Sequence, residues 1–131
     1  MNRVFLSFAA EDLDQVRGLR LLAANPAYEA VEFFDESVRK QINSTDEAYV
    51  RSVIREKINR TSVTVCLIST TTHTSRWVDW ELEESDKKRN TIIAMALKGI
   101  DRATLPRLIK EKGLTFNSWD PERLGRLIAA A

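Results

Sequence analysis

Val63-Thr64-Val65-Cys66-Leu67-Ile68 is a nearly unbroken apolar and β-branched run, followed by the polar stretch Ser69 to Ser75. A strand wetted on one face alternates apolar and polar residues, whereas a strand covered on both faces does not. The run therefore predicts a central parallel strand with helices above and below it. Similar apolar runs flank it in both directions: Val4-Phe5-Leu6-Ser7-Phe8, Ala30-Val31-Glu32-Phe33-Phe34-Asp35, Thr91 to Leu97, and the short Leu114-Thr115-Phe116. Helical patterns lie between them. Leu13, Val16, Leu19 and Leu22 recur at helical spacing until Asn25-Pro26. Ser44 or Thr45 caps a helix whose stripe is Tyr49, Val50, Val53, Ile54 and Ile58. Further helices are predicted from Arg76 to about Lys88, over 103–111, and from Pro121 behind an Asp120 cap. Residues 36–45 carry no periodicity and read as a loop.

Five strands alternating with helices predict an α/β fold: a flavodoxin-like, doubly wound parallel sheet in three layers, strand order 2-1-3-4-5. The 131 residues suit one domain over 1–131. Ligands of such folds bind beyond the carboxyl ends of the strands, where the strand order reverses. That rule nominates Ser7-Phe8-Ala9, Asp35 to Ser37, Ser69 to His73, and the first turns of the helix that follows.

Composition narrows the function classes. The 20 basic and 19 acidic side chains nearly cancel and are scattered, so there is no electrostatic footprint for nucleic acid. One cysteine (Cys66) and one histidine (His73) exclude an intrachain disulfide and argue against a structural zinc site, and no metal site is expected. No apolar stretch approaches the roughly 20 residues that span a bilayer, and residues 1–10 do not resemble a signal peptide. A cytoplasmic protein without membrane contact is expected.

The chemistry concentrates in Ser75-Arg76-Trp77-Val78-Asp79-Trp80-Glu81-Leu82. At roughly 100° per residue, Val78, Leu82 and Ser85 face the sheet, while Trp77, Glu81, Glu84 and Lys88 form the adjacent stripe with Trp80 at its edge. Trp77 and Glu81 are neighbours on that stripe. A carboxylate against aromatic rings loses hydration, which alters its chemistry. The plainer reading packs both tryptophans between helices and pairs Glu81 with Arg76 or Lys88. Phe8 is equally readable as the last core residue of its strand, Asp35 and Ser37 as turn caps, and His73 as a surface residue.

Three boxes in order resemble the TIR domain family. Val4 to Asp12 is similar to its first box, Phe33-Phe34-Asp35-Glu36-Ser37 to its second strand and the start of the BB loop, and Ile54 to Glu81 to its third, in which Ser-x-Trp-x-x-x-Glu follows a buried strand. Thr72 to Leu82 resembles the bacterial TIR-like subfamily of Thoeris anti-phage systems. The resemblance spans about residues 1–100. Residues 36–44 lack the Gly and Pro common in that loop.

The resemblance implies an enzyme that cleaves the nicotinamide–ribose bond of NAD and makes a cyclic ADP-ribose-type signal. That signal reaches a separate effector; TIR–TIR self-association is also implied. Glu81 would be the catalytic residue, with Ser7, Phe8, Asp35, Ser37, Trp77 and Trp80 contacting the substrate. NAD is then the substrate, and no further cofactor is implied. Nicotinamide leaves as a neutral molecule, so one carboxylate can suffice where ordinary glycosidases use two. Two alternatives stand beside this: a TIR adaptor that does no chemistry, and a nucleoside deoxyribosyltransferase-like enzyme, which would consume free nucleosides.

Overall fold

The computed structural model describes residues 2–20, 28–33 and 46–131. Its strands are β1 (Asn2–Ser7), β2 (Tyr28–Phe33), β3 (Val63–Ile68), β4 (Thr91–Ala96) and β5 (Phe116–Asn117). Its helices are α1 (Leu13–Arg20), α2 (Glu47–Asn59), α3 (Arg76–Lys87), α4 (Arg107–Glu111) and α5 (Pro121–Ala130), with short 3-10 turns at Ala10–Asp12 and Thr72–Thr74. The fold is α/β with a parallel sheet. Four strands of six residues form its body, two-residue β5 pairs at one edge, and the observed order is β2-β1-β3-β4-β5.

The run Val63 to Ile68 is the centre of this sheet. All six residues of β3 are buried. Alternate side chains feed different clusters. Val63, Val65 and Leu67 join Val4, Leu6, Ile93 and Met95 on one face, with Val16 of α1 and Leu124 and Ile128 of α5 against them. Cys66 and Ile68 join Ala94 on the other face, beneath Val78 and Leu82 of α3 and Leu108 and Ile109 of α4. Phe5 continues that second face under Val50, Ile54 and Ile58 of α2. A strand with apolar contacts on both sides has no position to spare for alternation.

Polar side chains trim the elements. Asp46 caps α2, accepting from the Ala48 amide at 2.9 Å. The cap thus falls one residue beyond Thr45 and two beyond Ser44, the expected positions, which lie outside the described residues, because a carboxylate at Asp46 already satisfies the first free amides. Asp120 caps α5 through the Arg123 amide at 3.0 Å, with Pro121 in the first turn. Thr64 and Ser85, both buried, satisfy each other at 2.7 Å between β3 and α3.

Several boundaries differ from the sequence reading. Strand β1 ends at Ser7 rather than Phe8, and β2 runs from Tyr28 rather than Ala30. Strand β5 starts at Phe116 rather than Leu114. Gly113 has φ +62°, and the Leu114 amide donates back to Ile109 at 3.1 Å, so Leu114 closes α4 instead of opening a strand. The helix foreseen over 103–111 is limited to Arg107–Glu111, behind Pro106. The expected stop at Asn25-Pro26 and the loop over 36–45 fall outside the described residues.

Two outcomes test this core. Leu82→Ala removes a fully buried side chain between α3 and the sheet, and is expected to lower unfolding stability by about 2–5 kcal/mol in chemical denaturation. Burial pushes the Cys66 thiol far up, with the carboxyl groups of Glu81 and Asp79 pushing the same way. Cys66 is expected to react with a thiol reagent only at the rate of unfolding, and a fast reaction with the native protein would contradict the packing.

Candidate functional site

The site begins where a strand ends and a helix turns toward it. In α3, Ser75 is the cap: its Oγ accepts from the Val78 amide at 3.2 Å, which orients the first turn. The helix then lays Val78, Leu82 and Ser85 on the sheet, all fully buried. Glu81, next on the helical wheel, is carried toward β1. Ser7 is the last residue of β1 and sits opposite Cys66 of β3 in the parallel register. Its Oγ donates to Glu81 Oε1 at 2.8 Å.

Both partners are out of solvent, Glu81 at 5% exposure and Ser7 at 0%. Burial pushes the Glu81 carboxyl up to about 8, with the Ser7 hydrogen bond opposing that rise. A serine hydroxyl is a neutral donor and does not compensate a buried charge as an arginine would. The carboxyl therefore titrates close to neutrality.

The place is the one the topology favours. The carboxyl ends of β1 and β3 are adjacent in the sheet. The helix after β1 packs on one face through Val16, and the helix after β3 packs on the other through Val78 and Leu82. Connections leaving in opposite directions open a crevice between them, which is where ligands of open α/β sheets bind.

The pairing of Glu81 with Arg76 or Lys88 is not what the structure holds. Arg76 pairs with Glu47 of α2. Lys88 Nζ donates to the carbonyl oxygens of Ile58, at 3.1 Å, and of Thr61, serving the last turn of α2. Both cations are engaged by other groups, and Glu81 bonds to Ser7.

The remaining predicted residues separate. Trp77 and Trp80 meet edge to face, with centroids 6.1 Å apart and an interplanar angle of 88°. They pack against the α2 cluster of Phe5, Val50, Ile54 and Ile58. Guanidinium groups already lie over them: Arg51 is 5.9 Å from the Trp77 centroid and 5.6 Å from that of Trp80, with Arg55 5.5 Å from Trp80 and Arg76 5.7 Å from Trp77. Phe8 is buried with Val4, Leu6 and Val16, in the cluster on the sheet face opposite Glu81. Of the six residues expected around Glu81, the structure brings Ser7 into direct contact with it; Asp35 and Ser37 lie outside the described residues. His73 lies in the Thr72–Thr74 turn, its Nδ1 buried and without a hydrogen-bond partner among the described residues.

A second polar cluster was not foreseen. Ser69 Oγ donates to Asp12 Oδ2 at 2.6 Å, the Ser69 amide donates to Thr72 Oγ1 at 2.8 Å, and Thr71 Oγ1 donates to Glu11. These bonds tie the turn after β1 to the loop after β3, across the mouth of the crevice. Burial raises the Asp12 carboxyl, while the Thr71 bond lowers that of Glu11. The sequence signal was the hydroxyl run Ser69-Thr70-Thr71-Thr72, but nothing in it named Glu11 and Asp12 as partners. Among the described residues no group of His, Cys, Asp and Glu is placed to hold a metal ion.

A folded-state carboxyl raised above its unfolded value contributes stability that is present below pH 4.5 and lost as pH rises through about 8. The stability of Glu81→Gln relative to wild type is therefore expected to rise between pH 5 and pH 8, read by thermal unfolding across that range. A difference independent of pH would refute the buried, titrating carboxyl.

Comparisons with known proteins agree on the kind of domain. Residues 5–102 match the family model described as Thoeris protein ThsB, TIR-like domain. A Bacillus cereus (strain MSX-D12) protein named "Putative cyclic ADP-D-ribose synthase ThsB1" is 33% identical over 99 residues, which is 72% of this chain and 50% of that protein. The chain thus spans half the length of that relative. In three dimensions it resembles the crystal structure of the TIR domain of the Toll-related receptor TRR-2 from Hydra magnipapillata. That match has a TM-score of 0.67 at 18% identity and covers 95% of this chain and 96% of the other, a likeness of fold. Sequence and fold agree, and the chain belongs to the Thoeris ThsB family of TIR-like domains.

Proposed function

We propose that this chain cleaves the bond between nicotinamide and ribose in NAD, using Glu81, and converts the ribosyl product into a cyclic ADP-ribose-type signal. The observation that carries the reading is a carboxyl buried at the junction of β1 and β3 and held by the neutral Ser7 hydroxyl. Membership of the family and the name of the Bacillus relative support the substrate and product class. The parallel pairing and helices on both faces support the doubly wound, three-layered form of the fold that goes with this reading.

The chemistry follows from charge. In NAD the leaving group is a pyridinium, so the electrons of the C–N bond neutralise it and nicotinamide departs without a proton. Positive charge develops on the ribose carbon and ring oxygen. An ionised Glu81 held close to that charge stabilises the transition state, and the low-polarity surroundings strengthen the effect. Approach of the cationic nicotinamide also favours the ionised carboxylate over the acid. The ribosyl cation is captured by water to give ADP-ribose, or by a protonated nucleophile within the same molecule to give a cyclic product, and in either case the captured group releases its proton to solvent. In this reading Trp77, Trp80, Asp35 and Ser37 are substrate-side residues, while Ser7 serves through its bond to Glu81 and Phe8 through the core behind the site. NAD is the only small molecule it requires. A cytoplasmic setting, self-association through the TIR-like domain, a separate effector that reads the soluble product and a role in anti-phage defence complete it.

Purified protein incubated with NAD is expected to release nicotinamide, with the products resolved by chromatography. Glu81→Gln keeps the shape and removes the charge, and is expected to slow release by about 100-fold or more. Equal release by both proteins would show that Glu81 does not act. The kcat/KM of wild type is expected to climb from pH 6 and level off above about 8, following the free-enzyme carboxyl. A profile that falls over this range would exclude an ionised Glu81 as the active form.

A further inference from the structure

We infer that Ser7 is a positioning residue for Glu81, holding its carboxyl toward the end of β1 and favouring the ionised form, rather than a donor to the substrate. The inference rests on the proposed role of Glu81. A serine hydroxyl has a single proton to donate, and that of Ser7 is directed to Glu81 Oε1 at 2.8 Å. Ser7 is itself wholly buried and fixed by the β1 backbone opposite Cys66, so its Oγ is a rigid point rather than a mobile side chain. A carboxyl reached by a donor on a strand is held more firmly than one left to the rotamers of a helix surface.

The charged and titratable groups on the surrounding elements leave this role open. From α2, Arg51 and Arg55 lie over the tryptophan rings, and pair with Glu47 and Glu84 respectively. From β3 comes Cys66, whose thiol is held neutral by burial. On α3, Asp79 is partly exposed, Arg76 pairs with Glu47, and Glu84 pairs with Arg55 and Lys87. From α4, Arg107 pairs with Glu83 and Glu111. His73 sits in the turn before α3, and Glu11 and Asp12 in the turn after β1 bond to Thr71 and Ser69. Among the described residues, the side-chain hydrogen bond to the Glu81 carboxyl comes from Ser7, and burial opposes ionisation in its absence.

The test uses the whole chain and two readouts. The Glu81 side-chain carboxyl is followed by carbon-detected NMR from pH 5 to 10, its signal assigned by its loss in Glu81→Gln. In Ser7→Ala the titration midpoint is expected to move up by about one pH unit, since a hydrogen bond to the charged form has been removed. Ser7→Cys, whose thiol is a weaker donor, should fall between the two and serves as the measurement if Ser7→Ala fails to give a cooperative thermal transition. The alkaline rise of kcat/KM for NAD cleavage should shift with the midpoint, with kcat more affected than KM. An unmoved midpoint in a folded variant overturns the inference, as does a midpoint that moves while the activity profile stays in place. A midpoint that moves in a protein that never cleaves NAD upholds the Ser7–Glu81 coupling and counts instead against the proposed activity.

Discussion

Taking a carboxyl group out of water disfavours its charged form by an amount on the order of several kcal/mol unless a partner compensates. In this protein Glu81 is nearly inaccessible, and its partner is the neutral hydroxyl of Ser7. The two positions are 74 residues apart in the chain, so their bond exists only when β1, β3 and α3 are assembled together. A buried glutamate tolerated on such terms costs stability, and the cost is borne where the strand ends meet. Structural ion pairs also perturb carboxylates, but among the described residues no cation is bonded to this one, and Arg76 and Lys88 are engaged with α2 instead.

The surrounding architecture keeps that arrangement in register. Strand β3 lies buried between two apolar clusters, and α3 rests on one of them through Val78, Leu82 and Ser85. The tryptophans fill the seam between α2 and α3, where Arg51 and Arg55 cover them from the solvent side. Trp77 and Trp80 thus pack in the layer between α2 and the helix that carries Glu81. The bonds from Ser69 to Asp12 and from Thr71 to Glu11 fasten the loops on either side of the crevice.

Much of this was legible from local pattern. The continuous apolar character of Val63 to Ile68 marked a doubly covered strand, and helical periodicity placed Val78, Leu82 and Ser85 on the buried side with Glu81 beside them. Boundaries were less legible, because they depend on which group satisfies the last free amide or carbonyl. Asp46 capping α2 and Leu114 closing α4 are both decided by competition between neighbours a few residues apart. Phe8 shows the same limit at the site: adjacent to Ser7 in the chain, it joins the cluster on the other face because side chains alternate along an extended backbone.

The sequence alone determined that this chain builds a parallel α/β sheet and that Glu81 stands at the edge of a buried helical stripe, since apolar periodicity is a property of consecutive residues. Only the tertiary structure decided what Glu81 touches. Ser7 rather than Arg76 or Lys88 became its partner because parallel pairing brings the end of β1 beside β3, under the first turns of α3. Hydrogen bonds between distant segments are set by strand register and helix placement, and neither is encoded in the spacing of the residues that form them.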